Sequence, residues 1–473
     1  MADVEERLTD WKSIYVAAIL SFCSAVQFSL YFTNATEQFF GFVVAAYSFA
    51  QCVASPLFGY WSNKVKQITM PMYAGLGSMI FGNILYFSTE IFPANRRHVL
   101  LIARFLIGVG SANLPLLRTY ASTSCVAKDR ALAIAYINGG ISLGTTIGPG
   151  LQLLFSPFGY PGIVFFKGLS LSIYTAPAFT ACFVNVICAF LLHFAFKETY
   201  AGIIEEEEDA ADKSRLLNFD KVAAAVCNLT RFAQQFFFTN IELIGSPFAM
   251  TIFAFTRQQT VQYGSVAQIA LVIISLANFF SYIGLNLSKF VRHRIAIVVA
   301  LGILLIFHLV TYSWPFLPGH LLTYTDQDLK NATDELVGCN RDRFSWCDTM
   351  KPISFWVFYA AFAICIGLAM PYIDISNSTV YGRILGPRRQ GTMQGIMQLS
   401  GGLARIIGPM TVGVLYGSFG PEAIWQLEMA VIGLTAIAWV VFYRRMVELR
   451  VDERTALTEG ARNELYAQDR GRH

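Results

Sequence analysis

The string Gly139-Gly-Ile-Ser-Leu-Gly-Thr-Thr-Ile-Gly-Pro-Gly150 has a relative in the second half of the chain, Gly401-Gly-Leu-Ala-Arg-Ile-Ile-Gly-Pro409. Aligning the two Gly-Pro pairs sets Gly144 opposite Ala404, Thr145 opposite Arg405 and Ile147 opposite Ile407. Each copy lies in an apolar run and follows a short basic loop, Lys128-Asp129-Arg130 or Pro387-Arg388-Arg389. In water such a helix is a poor choice, since each Gly costs about 1 kcal/mol and Pro about 3. Inside a bilayer the same residues are tolerated, and small side chains let helices approach closely. The repeat therefore points to a membrane protein of two related halves.

Composition agrees. Of 473 residues 55% are apolar and 14% charged, against roughly 25% charged in soluble domains. The 40 phenylalanines are too much apolar surface for a water-soluble fold to hide. A net charge of +4 gives no reason to expect a nucleic-acid partner; the lipid bilayer is the expected surroundings. The first apolar run follows the acidic stretch Met1–Asp10 and is of span length, so it reads as a retained helix, not a cleaved signal. Cys23, Cys52, Cys182, Cys188, Cys227 and Cys365 lie in apolar runs and read as packing residues, while Cys125 lies in a short loop. Cys339 and Cys347 flank a Trp-containing hydrophilic segment and are the one pair placed to form a disulfide.

At about 20 apolar residues per span, the chain divides into twelve: Trp11–Phe32, Phe39–Trp61, Ile68–Ser88, His98–Leu117, Ala131–Phe155, Tyr174–Phe196, Val222–Gly245, Gln262–Leu287, Ile295–Tyr312, Pro352–Asn377, Thr392–Tyr416 and Ala423–Tyr443. A polar linker, 197–221, holding Glu205–Glu208 and Asp209, separates a first half, 1–196, from a second, 222–443. The second half has a hydrophilic loop at 313–351, and 444–473 forms a tail. Lys64, Lys66, Lys128, Arg130, Lys289, Arg292, Arg294, Arg383, Arg388 and Arg389 fall on the side of both termini, with Arg444 and Arg445 in the tail. The opposite side is poorer in Lys and Arg, although Arg96-Arg97 dissent. The positive-inside rule then puts both termini in the cytosol. Glycosylation acceptors Asn34-Ala-Thr36 and Asn331-Ala-Thr333 and the Cys339/Cys347 pair fall on the other side, as an oxidising lumen requires.

Six plus six spans with an internal echo is the pattern of the major facilitator fold, whose site lies at the midplane between the halves. Local motifs resemble that superfamily. Gly59-Tyr-Trp-Ser-Asn63-Lys64 looks like a degraded form of its loop signature, with Asn63 where Asp is usual. Arg104-Phe-Leu-Ile-Gly108-Val-Gly110 resembles its arginine motif in the fourth span. The fifth span carries the glycine-proline motif associated with exchangers: Gly140, Gly144, Gly148 and Pro149, echoed by Gly401, Gly402, Gly408 and Pro409. Longer strings resemble one lysosomal branch of the superfamily: Trp11-Lys-Ser-Ile, Ala46-Tyr-Ser-Phe-Ala-Gln-Cys-Val-Ala-Ser-Pro-Leu-Phe-Gly59, Gly338-Cys339 with Trp346-Cys347, Ile384-Leu-Gly-Pro387 and Ala404-Arg-Ile-Ile-Gly-Pro409. That resemblance implies an all-α, twelve-helix endolysosomal membrane protein with chloride conduction. It fails in the acidic linker and the tail, and nothing in composition or spacing points to chloride itself.

Charges inside apolar spans cost at least ~2.5–3.5 kcal/mol each on insertion scales, so they mark candidate function. Arg104, Arg231, Glu242, Asp374 and Arg405 all lie within these spans. Arg104 lies four residues before Gly108, and Arg405 four after Gly401, which puts both on small-residue faces. Both are candidates to attract an anion in a low-dielectric cavity; a structural gating pair or a snorkelling side chain is the alternative. Glu242 is the candidate for proton coupling, since desolvated carboxylates take up protons more readily than solvated ones, and a salt bridge to Arg257 is its alternative. Asp374 reads as a local partner of Arg118 or Arg383, Arg231 as a snorkelling side chain, and His193 and His308 as satisfied polar groups. In the linker, Asp212 stands four before Leu216-Leu217 and resembles a signal read by cytosolic sorting adaptors. Phosphate loops, zinc spacings and nucleophile elbows are missing from the sequence, so neither enzyme activity nor a cofactor is expected. Three readings stay open: chloride conduction, a proton-coupled carrier or exchanger of a small organic solute, and a non-transporting receptor or scaffold.

Overall fold

The computed structural model describes residues 9–29, 37–92, 95–126, 128–153, 155, 159, 162–166, 169–172, 175–201, 219–285, 287, 290–331 and 336–449. Asn34, the acidic run 205–209 and the Asp212, Leu216 and Leu217 string lie outside them, as do the side chains of Gly148, Pro149 and Asn331.

Twelve long helices are present among the described residues: α1 Trp11–Ser29, α2 Glu37–Val65, α3 Thr69–Phe87, α4 Arg96–Thr123, α5 Arg130–Leu153, α6 Ala176–Phe194, α7 Lys221–Ile252, α8 Arg257–Gly284, α9 His293–Val310, α10 Phe355–Leu385, α11 Gly391–Phe419 and α12 Pro421–Val441. Two are irregular. Helix α4 breaks at Ser111–Ala112, and α10 contains a π turn at Phe362–Ile366, a feature that frequently accompanies functional sites. Helix starts follow local chemistry. Asp220 accepts hydrogen bonds from Val222 N and Ala223 N at the start of α7, and Thr256 and Gln259 form a capping box at α8, each satisfying donors a helix leaves open. Between α11 and α12, Gly420 takes φ +78° directly beneath Trp346, where a side chain would strike the indole.

The loop between α9 and α10 is a small folded cap. Strands β3 (Thr323–Tyr324) and β4 (Cys339–Asn340) pair in parallel, following the antiparallel hairpin of β1 (Ile163–Phe166) and β2 (Leu169–Leu171) earlier in the chain. Cys339 and Cys347 form a disulfide, and Trp346 Nε1 donates to Tyr416 O at 2.9 Å, fastening the cap to the end of α11.

Each half has its own apolar core. Ile14, Leu76, Tyr120 and Ile137 belong to the first; Phe248, Leu304, Phe307 and Trp425 belong to the second. Phe248 stacks between Phe358 and Trp425 with ring centroids 4.9 and 5.0 Å apart. Outward faces are apolar too, as at Phe194, Leu434 and Val441, so core packing alone does not hold the halves together. They meet through one small apolar cluster, Ala135 against Phe279, Tyr282 and Ile375, and through backbone closeness where small residues permit it. Helices α2 and α11 cross so tightly that a methyl group at Gly395 would lie 2.5 Å from Ser55 O, and one at Gly391 would lie 2.5 Å from Gly59 O. Asn63 closes the same seam by accepting from Gly391 N at 2.9 Å and donating to Thr392 Oγ1 at 2.9 Å. Arg389 donates to Lys66 O beside it. This seam lies at the end of the bundle bearing both chain ends, here called the terminus end. Further along α11, a methyl group at Gly413 or Gly417 would meet none of the described residues of other elements within 4 Å.

Candidate functional site

Where the α2–α11 seam ends, buried arginines gather from both halves. Arg104, in the first segment of α4, is 6% exposed, with its guanidinium carbon 5.5 Å from the centroid of the Tyr47 ring. Gly108, one turn on, lets α4 lie against the α2 backbone at Tyr47, and Gly110 does the same against Gly75 of α3. Arg405 of α11 crosses to the other half and donates to Gln51 Oε1 of α2. Tyr47 lies within electrostatic range of Arg104 and Arg405 alike.

Two further arginines complete the group. Arg118, 6% exposed in the second segment of α4, donates from Nε to Asn138 Oδ1 at 3.1 Å and from a terminal nitrogen to Gln398 Oε1 of α11 at 2.9 Å. Arg231 of α7 donates to Asp374 Oδ1 of α10 at 2.7 Å and to Gln234 Oε1 at 3.0 Å. Its Nε is buried without a hydrogen-bond partner. Asn138 then ties the halves by donating to Asp374 O at 3.2 Å. Arg231, Asp374 and Arg405 all lie within electrostatic range of Arg118, and Arg231 also acts on Arg405. Among the described residues, Arg118, Arg231 and Arg405 thus gather with one carboxylate, Asp374, in a low-dielectric setting, where like charges repel far more strongly than in water; Arg104 lies apart, fourteen residues before Arg118 on α4 and roughly 21 Å along the axis. An anion between them would relieve that repulsion.

Several sequence-level expectations change. Asp374 pairs with Arg231, not with Arg118 or Arg383. Arg231 is 7% exposed and held inside the bundle, so it does not snorkel. The sequence offers Arg118 only as a partner of Asp374, because hydropathy ends the fourth span at Leu117, whereas the helix runs on to Thr123. Glu242 lies eleven residues after Arg231 on α7, about three turns and roughly 16 Å further along the axis, so it is not a member of the arginine group. Its side chain is exposed. Lys64 is likewise exposed, whereas Gly59 packs directly on Gly391.

A second polar constellation is buried in the C-terminal half. His308 of α9 and Glu428 of α12 are 0% and 1% exposed, with Nε2 and Oε2 2.7 Å apart; His308 Nδ1 lies 2.7 Å from Leu304 O. Phe237, Phe307 and Trp425 enclose the ring. Asn240 of α7 lies against Gly408, where a methyl group would stand 2.5 Å from its Oδ1. His308 is satisfied, as a lone histidine on an apolar span usually is. The available signal for its partner is the one that marks Glu242, a single acid, Glu428, within an otherwise apolar span.

Twelve spans in two halves, closed at one end around a buried polar centre, define a membrane transporter of small solutes, not an enzyme. The chain belongs to the Major Facilitator Superfamily, whose model matches residues 11–324 and 344–467. Among curated relatives it is similar to major facilitator superfamily domain-containing protein 8 of Xenopus laevis, 27% identical over 478 residues that cover 92% of each chain. It also resembles multidrug resistance protein 2 of Bacillus subtilis (strain 168), 24% identical over 249 residues, 50% of this chain and 56% of that one. Solved structures share the fold. The human organic anion transporter MFSD10 (TETRAN) superposes with a TM-score of 0.63 at 16% identity, covering 91% of this chain and 99% of that one. A bacterial homologue of the iron transporter ferroportin, in its outward-facing state, gives 0.65 at 10% identity, covering 91% and 98%.

Proposed function

We propose that this protein moves a small anion across the endolysosomal membrane, binding it among Arg118, Arg231 and Arg405, with Arg104 further along the same pathway, and exposing it to each side in turn. The observation that carries the reading is the excess of buried guanidiniums over carboxylate where the halves meet. Arg405 and Arg118 each bond to the opposite half, so an anion bound there would alter contacts that hold the terminus end shut. Chloride is the smallest such anion, and the resemblance to the lysosomal branch favours it. An organic anion is the second reading, favoured by the fold shared with a solved organic anion transporter. Glu242, accessible and outside the arginine group, is the proposed proton-coupling carboxylate; an unaltered pH profile of transport in Glu242→Gln removes that role.

The rest of the reading concerns placement. The basic terminus end is proposed to face the cytosol, where sorting adaptors would meet Asp212, Leu216 and Leu217. The disulfide-bonded cap, with Asn34 and Asn331 as glycan acceptors, would face the lumen.

Recording from enlarged endolysosomes under anion substitution tests the function. A large ohmic chloride current supports conduction, and slow saturable flux supports a carrier. Arg405→Gln is expected to lower anion flux at least about ten-fold, the cost of roughly 1.4 kcal/mol of lost anion stabilisation, with the protein still folded and delivered. Unchanged flux and selectivity in that variant would remove the arginine group from the pathway.

A further inference from the structure

A pocket of about 450 Å³ opens at the terminus end, between the start of α9, the end of α10 and the chain that follows α12. Arg292, Arg294 and Arg383 line it, opposed by one acid, Glu448. Arg294 is held in place over the Tyr443 ring, 4.9 Å from its centroid. His293, 4% exposed, also lines the pocket; its Nδ1 is 3.3 Å from Ser376 Oγ, while its Nε2 is buried without a hydrogen-bond partner among the described residues. Arg292 precedes α9 and gives no side-chain cap to its first N–H groups. Helix start, unpartnered imidazole and three cations therefore meet in one concavity, an arrangement suited to phosphate.

Directly beside it lies a second hollow of about 440 Å³, between α9 and α12, lined by Ile295, Val298, Val440 and Val441 together with Tyr443 and Arg444. Tyr443 belongs to both hollows. Val440 and Val441 are 62% and 65% exposed on the outward surface of a spanning helix, where acyl chains lie. The pocket thus sits at the membrane boundary with an apolar groove running from it into the bilayer. We infer that the two hollows together hold one phospholipid with an anionic, phosphate-bearing headgroup, its phosphate among Arg292, Arg294 and Arg383 and a chain along α9 and α12. A soluble phosphate would use only the pocket, and a zwitterionic lipid only the groove.

The test uses the full chain, purified in a neutral detergent, and three probes: dioctanoyl phosphatidylinositol phosphate, dioctanoyl phosphatidylcholine and inositol trisphosphate. The anionic lipid is expected to bind at least ten-fold more tightly than either other probe. Arg383→Gln should weaken it about five-fold or more, whereas Glu448→Gln, which removes the opposing carboxylate, should tighten it. Opposite signs from two neighbouring substitutions are not what a fold defect produces. Val441→Trp should weaken the lipid and leave inositol trisphosphate unchanged. Equal binding of the two lipids, equal binding of inositol trisphosphate and anionic lipid, or the same sign from Arg383→Gln and Glu448→Gln would each overturn the assignment.

Discussion

Helices α5 and α11 carry the same small-residue string and do different things with it. In α5, Gly140 and Gly144 press against the backbone of α1 in their own half. In α11, Gly401 and Gly408 face side chains of α7, Arg231 with Gln235 and Asn240 respectively, while across the halves Gly395 presses against the α2 backbone and Gly402 against the Cys52 side chain. The corresponding cross-half contact of α5 is loose: a methyl group at Gly139 would meet the Phe279 ring at an ordinary 3.6 Å. One inter-half seam is therefore built of touching backbones, the other of an aromatic cushion. The side chains diverge in the same way. Thr145 donates back to Ile141 O and Ser142 O of its own helix at 3.2 and 2.9 Å, while Arg405, its counterpart, reaches across to Gln51. The repeat sets the packing, and the departure from it supplies the chemistry.

The largest way to break this comparison is to widen the tight seam. Gly395→Val places side-chain atoms against Ser55 O and the Pro56 backbone, which cannot retreat without shifting α2. The terminus end should then fail to close, with transport reduced more than about ten-fold, over 1.4 kcal/mol on the closed state. Cys52, 3% exposed beneath Gly402, gives the readout: its thiol should react far faster with a reagent applied from the terminus end. Gly139→Val, on the loose seam, should leave transport and Cys52 reactivity near those of the unaltered protein. Equal effects from both substitutions would show that the two seams are equivalent after all.

The charge pair across α7 and α10 offers a smaller effect. Asp374→Asn leaves Arg231 without its carboxylate inside the bundle. Breaking a fully buried pair costs about 3–5 kcal/mol, but the Asp374 side chain keeps 23% exposure, so solvent screening should reduce that loss to roughly half. A lowered melting temperature of the purified protein is expected, with partial recovery in the Arg231→Gln, Asp374→Asn double variant. Loss of stability without any recovery would mean that Asp374 serves mainly through its other contacts, such as the Asn138 bond to its backbone.

The fold was legible because membrane insertion leaves few options: apolar runs of span length, basic loops on one side and a repeated glycine string together limit the topology. Individual arginines were partly legible. Arg104 and Arg405 lie among glycines and stand out. Arg118 was not, because the end of a span cannot be placed from hydropathy when polar residues, Thr119 and Ser122 to Ser124 here, face the protein interior instead of water. Pairings were least legible. Arg231 meets Asp374 and His308 meets Glu428 only through helix arrangement, and no spacing along the chain encodes which of several buried charges will face which.

Thr145 sharpens the comparison most finely, because its expected effect is close to nothing. Its hydroxyl serves carbonyls three and four residues back on the same helix, a bond that contributes little to stability and tends to bend the helix. Thr145→Val keeps the shape and removes that bond. Stability should move by no more than about 0.5 kcal/mol, as expected away from buried partners, and anion flux should be unchanged. A loss approaching that of Arg405→Gln would show that the two positions still act as a symmetric pair in the pathway, and that the departure at Arg405 is not what separates the halves.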